Sequence, residues 1–275
     1  MRFDWYSASV PETDPDHVIN YLAQMHPEGD LRTGRPRLGY TGVTSIHDGE
    51  GDRWADVLHG GPNGIAIVGT GDAAPAVAQA VRDAWPVHMV SRADVACDMQ
   101  GGGLMDQLST VAVRIAMAHR LSGNRIGGFY PGDGTTITLG SRTSQTYGRL
   151  YEKGKEQYAR TKDKKWLAHF DLVRLELEVK PQKQNRLACS AYSPEQLWGM
   201  SRWSRDIAQT ILDHPAAKVG VSLYKVSEDE IAMRHMMRQW SKLLGRMKDK
   251  NGSWAETGIR LGELFREMES KRKGV

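Results

Sequence analysis

Residues 149–153, Arg-Leu-Tyr-Glu-Lys, set a phenol between two cations at alternate positions. Residues two apart in a strand share a face, so Arg149, Tyr151 and Lys153 are expected to point one way and Leu150 and Glu152 the other. Tyrosine titrates near 10, so only about one molecule in a thousand is phenolate at pH 7, and reaching that state costs roughly 4 kcal/mol. Adjacent cations or a metal ion could offset much of that cost. The chemistry on offer is nucleophilic attack by a phenolic oxygen. The plainer alternative is a packed tyrosine flanked by solvated cations.

Two other stretches supply carboxylates at strand spacing. In Val90–Asp98, Arg92, Asp94 and Asp98 share one face, with Val95 and Cys97 opposite. In Val173–Lys180, Arg174, Glu176, Glu178 and Lys180 alternate with Leu175, Leu177 and Val179. If these strands are neighbours, their carboxylate oxygens converge in a number suited to Mg²⁺ or Mn²⁺. Cross-strand Arg–Glu pairing on a solvated face is the alternative. The nine histidines are scattered singly, without the spacing of a zinc hydrolase. His88 and His169, near the candidate stretches, are expected to be structural. There is no phosphate-binding Gly-x-x-x-x-Gly-Lys-Ser/Thr loop, and Gly60-Gly-Pro-Asn-Gly64 reads as a turn. Trp198, Trp203, Trp240 and Trp254 sit at helical positions and read as core.

The elements that must position these residues follow from the remaining pattern. Phe3–Val10 reads as a strand and Pro15–Met25 as a short helix capped by Asp14. Short strands are expected at Arg37–Ile46, Trp54–Leu58 and Gly64–Gly69, then a helix over Ala73–Trp85, capped by Asp72 and ended by Pro86. His88–Met99 is a strand, Gly101–Gly103 a turn and Leu104–Leu121 an amphipathic helix. Thr136–Leu139 and Tyr147–Tyr151 form a hairpin, Lys162–Lys165 an exposed basic loop, and Phe170–Lys180 an alternating strand. Near residue 190 the texture becomes helical, with Pro194–Leu212, Glu228–Met247 and Trp254–Lys271 at helical spacing. The expectation is an α+β fold, a mainly antiparallel sheet with helices on one side and of ferredoxin-like type, over residues 1–190, with a helical region over 191–275.

The 275 residues are 40% hydrophobic and 25% charged, an ordinary balance for a soluble protein. No apolar run is long enough to span a membrane, and no apolar signal core opens the chain, so the expected location is cytoplasmic. Cys97 and Cys189 are too few for a disulfide scaffold. Charge is uneven: residues 1–60 hold ten Asp/Glu against five Lys/Arg, whereas 141–186 hold twelve Lys/Arg against six Asp/Glu. Residues 225–275 hold twelve against eight. A basic half beginning at the hairpin points to a polyanion partner, with nucleic acid foremost.

Leu-Gly-Ser-Arg-Thr-Ser followed by Arg149-Leu-Tyr-Glu-Lys-Gly-Lys-Glu156 resembles the signature of the rolling-circle replication initiation factors of small plasmids and filamentous phages. Ser91–Asp98 and Val173–Lys180 match its other two motifs, in order. Phe3-Asp-Trp-Tyr-Ser and Val57–Gly64 are similar to the phage-type branch. The resemblance spans residues 1–180 and implies a DNA nicking-closing enzyme with Tyr151 as nucleophile, assisted by Lys153 and Arg149. It places a carboxylate-bound Mg²⁺ or Mn²⁺ on Asp94, Asp98, Glu176 and Glu178. Tyr147 reads as packing, with a second-nucleophile role as the lesser option. Arg142, Lys155, Lys162, Lys164 and Lys165 are the expected DNA contacts. The implied partners are origin DNA, duplex and single-stranded, a host helicase, and a second copy in a homodimer. A metal-dependent hydrolytic endonuclease and a non-catalytic origin-binding repressor stay open as alternatives.

Overall fold

The computed structural model of the chain describes residues 1–61, 64–127, 132–219 and 228–273. Strand β1 (Arg2–Val10) is followed by helix α1 (Pro15–Ala23), β2 (Leu31–Thr33), β3 (Gly42–His47), β4 (Arg53–Gly61) and β5 (Gly64–Thr70). Helix α2 (Ala74–Ala84), β6 (Met89–Gln100), α3 (Leu104–Ala118), β7 (Arg125–Ile126), β8 (Thr136–Leu139) and β9 (Thr146–Glu152) come next. Then follow α4 (Lys153–Thr161), a 3-10 helix (Lys164–His169), β10 (Leu172–Val179), α5 (Asn185–Ala188), α6 (Pro194–Leu197) and α7 (Arg202–Ile211). Helices α8 (Glu228–Asn251) and α9 (Trp254–Lys273) complete the order.

The strands form one sheet in the order β2-β3-β4-β5-β1-β6-β10-β9-β8-β7, paired antiparallel throughout. The fold is α+β, as the sequence pattern implies. Period-two alternation sorts its two faces. Phe3, Tyr6, Val95, Leu150, Leu175 and Leu177 enter a core shared with α1, α2, α3 and α7. Their alternates, Trp5, Asp94, Arg149, Tyr151, Arg174 and Glu176, therefore stand on the opposite face.

Local chemistry explains where the elements begin and end. Asp14 caps α1, accepting from the Asp16 N–H at 3.0 Å. Asp72 does not cap α2; its carboxylate pairs with Arg2, and α2 starts at Ala74 with Pro75 in its first turn. The helix expected over Pro194–Leu212 is broken by a 3-10 turn, Trp198–Met200. Ser201 resets it, because its hydroxyl accepts from the Ser204 N–H in a capping box that starts α7. His88 is structural: buried, it lies 2.6 Å from the Tyr6 hydroxyl and 2.6 Å from the Trp85 carbonyl. Pro62 and Asn63, in the expected turn at 60–64, lie outside the described residues.

Two compact units divide the chain, Met1–Ser222 and Leu223–Val275. Leu197, Trp198, Trp203 and Ile207 belong to the core of the first, so the change of texture near residue 190 precedes the parting of the units. The second unit is the α8–α9 hairpin. Its tryptophans are not core: Trp240 is 49% and Trp254 55% exposed, unlike Trp198 and Trp203. Among the described residues no helix is long and apolar enough to cross a membrane.

Candidate active site

Strand β9 lies between β8 and β10, with Tyr151 opposite Thr136 on one side and Arg174 on the other. Leu150 is fully buried on the core side, which turns Arg149 and Tyr151 to the opposite face. Gly148 makes room below them: a Cβ there would stand 3.0 Å from the Trp203 ring. The strand stops one residue earlier than its alternation suggests. Lys153 is the first residue of α4, not the next rung of β9. Gly154 permits that change of direction, since a Cβ there would fall 1.7 Å from the His169 carbonyl oxygen. The helix start still returns Lys153 to the tyrosine. Its Nζ stands 5.5 Å from the Tyr151 ring centre, and the Arg149 guanidinium carbon stands 5.3 Å away.

Both cations thus flank the ring, while the oxygen has a different partner. The Tyr151 hydroxyl donates to Glu176 Oε2 at 3.3 Å, and Glu176 Oε1 accepts from Arg149 Nη2 at 2.5 Å. Tyr151 is 5% exposed and Glu176 2%. Burial, and next the Glu176 charge, push the phenol well above its ordinary range, outweighing Arg174 and Arg149. In this arrangement the tyrosine is a held, protonated donor. The depressed value that its two cationic neighbours suggest is not what the geometry gives.

The carboxylates are gathered by register. In the β6–β10 ladder Glu178 faces Asp94, Glu176 faces Ala96 and Arg174 faces Asp98. Asp94 is 3% exposed and its carboxyl is pushed up to about 7, first by burial and then by Glu176 and Glu178, with Arg92 opposing. Arg92 holds Asp94 through Nε at 2.9 Å and Nη2 at 2.5 Å, and reaches Glu178 at 2.8 Å. Lys180 pairs with Glu178 at 2.5 Å. Asp98 stands apart, clamped by Arg174 at 2.6 and 2.7 Å, and Arg174 also donates to Asp4 at 2.8 Å.

In donor chemistry Asp94, Glu176 and Glu178 suit a hard divalent cation, and their crowding is what such a charge would relieve. As arranged, each is bonded to an arginine. Among the described residues no three His, Cys, Asp or Glu side chains gather as a group able to hold an ion. Arg92, Arg174, Asp4 and Trp5, whose ring centre lies 4.5 Å from the Arg92 guanidinium, are the participants that sequence reasoning did not assign. Arg92 was visible in the alternation, but its choice of partners depends on the pairing of β6 with β10. Asp4 reaches Arg174 from β1, whose ladder with β6 shifts register between Phe3 and Trp5.

The expected DNA contacts occupy different settings. Arg142 is exposed and lies 5.5 Å from the Tyr147 ring centre; Tyr147 itself is buried and packs, on the same face as Tyr151. Lys162, Lys164 and Lys165 are exposed, Lys162 ending α4 in a left-handed conformation and the other two opening the 3-10 helix. Lys155 is half-buried, paired with Glu152 at 2.8 Å, and lines a cleft with Asp106 and Asp171. That acidic setting makes it the least suited of the five to phosphate. His169 is exposed, with its ring 6.2 Å from that of Trp166.

Comparison with known proteins bears on the family and the fold. No curated protein matches the chain in sequence. The fold is similar to that of the rolling circle replication initiator protein from Geobacillus stearothermophilus, with a TM-score of 0.51 and 14% identity, over 79% of this chain and 97% of that one. A family model described as a replication initiation factor matches residues 89–257. That span takes in β6, β9 and β10, with Asp94, Tyr151 and Glu176, and exceeds half of the 275 residues. The chain belongs to the replication initiation factor family.

Proposed function

We propose that the protein nicks one strand of origin DNA through Tyr151 and so starts rolling-circle replication. The Tyr151 oxygen would attack a phosphodiester, forming a phosphotyrosine at the 5′ end while the bond to the 3′ oxygen breaks. The freed 3′-hydroxyl is then a primer for a polymerase. The phosphoester bond is conserved in the adduct, so the strand can be rejoined without a nucleotide cofactor. Duplex opening is left to a host helicase. The observation that carries this reading is the seating of Tyr151, with its hydroxyl on Glu176 and its ring centre 5.3 Å from Arg149 and 5.5 Å from Lys153.

Glu176 is placed to take the phenolic proton as the new bond forms, and Arg149 orients that carboxylate. Lys153 adds positive charge where the phosphate must approach. Asp94 and Glu178 would hold Mg²⁺ or Mn²⁺ once Arg92 releases them, with Glu176 kept on Arg149 as the proton acceptor. Such a cation supplies Lewis-acid polarisation of the phosphate and binds the charge that develops on its oxygens. Family membership and the basic charge of residues 141–186 both support origin DNA as the substrate.

The test is a nicking assay on supercoiled plasmid carrying the element's own origin. Wild type should convert it to open circles and remain bound to the 5′ end through denaturation, and excess EDTA should stop the reaction. Tyr151→Phe should abolish both products while origin binding persists. Cleavage without a covalent adduct would point to a hydrolytic endonuclease, and origin binding without cleavage to a repressor.

A further inference from the structure

The face that carries the carboxylates also holds a cleft of about 450 Å³, within the roughly 300–1,000 Å³ typical of small-ligand sites. Its walls come from separate segments: Trp5 on β1, Gly71 before α2, Lys153 and Arg160 on α4, and Trp166 in the 3-10 helix. A second cleft of about 430 Å³ adjoins it, lined by Trp166 with Lys165, His169 and Gln100. Trp166 is thus a half-buried indole shared by two neighbouring clefts. Lys153 links the larger one to the tyrosine, since it both lines the cleft and stands 5.5 Å from the Tyr151 ring centre.

The charges in the larger cleft are not equivalent. Its acids are already matched by arginines, Asp72 by Arg2, and Asp4 and Asp98 by Arg174. Arg160 is bonded instead to the neutral amide of Gln157, at 2.6 Å. Lys153, its side chain 14% exposed, is paired at 2.8 Å with Glu156, which lies outside the lining of the cleft. Lys153 and Arg160 are therefore the cations of this cleft whose charge no acid of its own lining matches. Trp5 adds a buried indole Nε1 that is bonded to nothing among the described residues.

Cations and an indole lining one cleft suit a nucleotide whose base is free to stack. Single strands present their bases to aromatic side chains, whereas a duplex keeps its base faces inside the helix and offers only edges. We propose that this cleft seats one unpaired nucleotide of the strand that Tyr151 attacks, its base against Trp166 and its phosphate held by Lys153 and Arg160. This rests on the nicking reading above and extends it, because it names the residues that hold the nucleotide beside the tyrosine.

The test uses the full chain carrying Tyr151→Phe, so that no nicking intervenes, with fluorescein-labelled dT12 and a 12-base-pair duplex as probes. Trp166→Ala should weaken dT12 binding about 5- to 150-fold, the range expected for one lost stacking contact. Duplex affinity should change less than twofold, and Trp166→Phe should retain most of the dT12 affinity. Arg160→Gln should lower the slope of log K against log salt on dT12 by about 0.7, with the slope unchanged in Trp166→Ala. Should Trp166→Ala fail to fold, Trp166→Leu, apolar but without a stacking face, takes its place beside Arg160→Gln, with the same loss on dT12 expected. Equal losses on both probes, unchanged dT12 binding in the two Trp166 variants, or no dT12 binding by the parent would each overturn the cleft assignment. Nicking that needs Tyr151, with dT12 binding indifferent to Trp166, removes the cleft alone. The reverse pattern removes the nicking reading and leaves a single-strand site.

Discussion

Glu176 meets Tyr151 across the β9–β10 ladder, accepting its hydroxyl at 3.3 Å with one oxygen while the other accepts from Arg149. One buried carboxylate therefore fixes the direction of the phenol and, after burial itself, helps to keep it protonated. Glu176→Gln preserves shape and an acceptor oxygen but removes the charge and the proton acceptor. Nicking should fall about 10²–10⁴-fold, the usual worth of general-base assistance, with origin binding intact. Single-turnover nicking beside a filter-binding curve separates the two. A loss of less than tenfold would remove Glu176 from the chemistry.

Asp94 gives a pH signature. Its carboxyl titrates at about 7 in the folded chain, raised mainly by burial, against about 3.9 when unfolded. The folded state therefore binds more protons between those values, so stability falls as pH rises from about 4 to about 7 and then levels. Asp94→Asn cannot ionise and escapes that fall. In EDTA-containing buffer, the Tm of Asp94→Asn minus that of wild type should increase from pH 5 to pH 7 and stay flat to pH 8. A difference independent of pH would mean that Asp94 is ionised throughout.

Much of this arrangement is legible in the sequence because it rests on period-two alternation. Strand β10 appears where Leu175 and Leu177 alternate with Glu176 and Glu178, β6 where Val95 and Cys97 alternate with Asp94 and Asp98, and β9 where Leu150 lies between Arg149 and Tyr151. What alternation cannot give is register. Whether Asp98 meets Glu178 or Arg174 depends on a one-for-one pairing between strands more than seventy residues apart, and the structure gives Arg174. The end of β9 is hidden for another reason: Lys153 fits the strand pattern equally well, and the turn into α4 depends on the close approach of the His169 carbonyl that Gly154 permits. Tryptophans misled where spacing was the only guide, since Trp203 fills the space above Gly148 while Trp254 is largely exposed.

Gly154 should tolerate no side chain. A Cβ at 1.7 Å from the His169 carbonyl oxygen requires backbone to move, because neither atom belongs to a flexible side chain. Overpacking of this kind costs about 1–3 kcal/mol. Gly154→Ala should lose that much in urea unfolding with an unchanged m-value. Nicking should drop as well, because α4 carries Lys153 and the displaced segment carries Trp166. Stability within about 0.5 kcal/mol of wild type would show that the 3-10 helix yields freely.

Lys162, Lys164 and Lys165 follow α4 and lead into β10, exposed and close in sequence to both the nucleophile strand and Glu176. Their existing partners are weak: Lys162 lies 5.9 Å from the Tyr158 ring centre, and Lys165 pairs at 3.1 Å with Asp163 at the surface. An exposed pair of that sort contributes little, so a phosphate can replace it. Lysines of this kind position a backbone without reading bases. Each lost contact should lower the salt slope by about 0.9 on duplex or 0.7 on single-stranded DNA. Replacing all three by alanine should therefore weaken origin and random DNA by similar factors and leave their ratio unchanged. Sequence choice would then reside elsewhere, and the basic α8–α9 hairpin is the segment to truncate next. Titrations at several salt concentrations settle the loop's role: an unchanged slope in the triple variant would make these lysines solvated surface and nothing more.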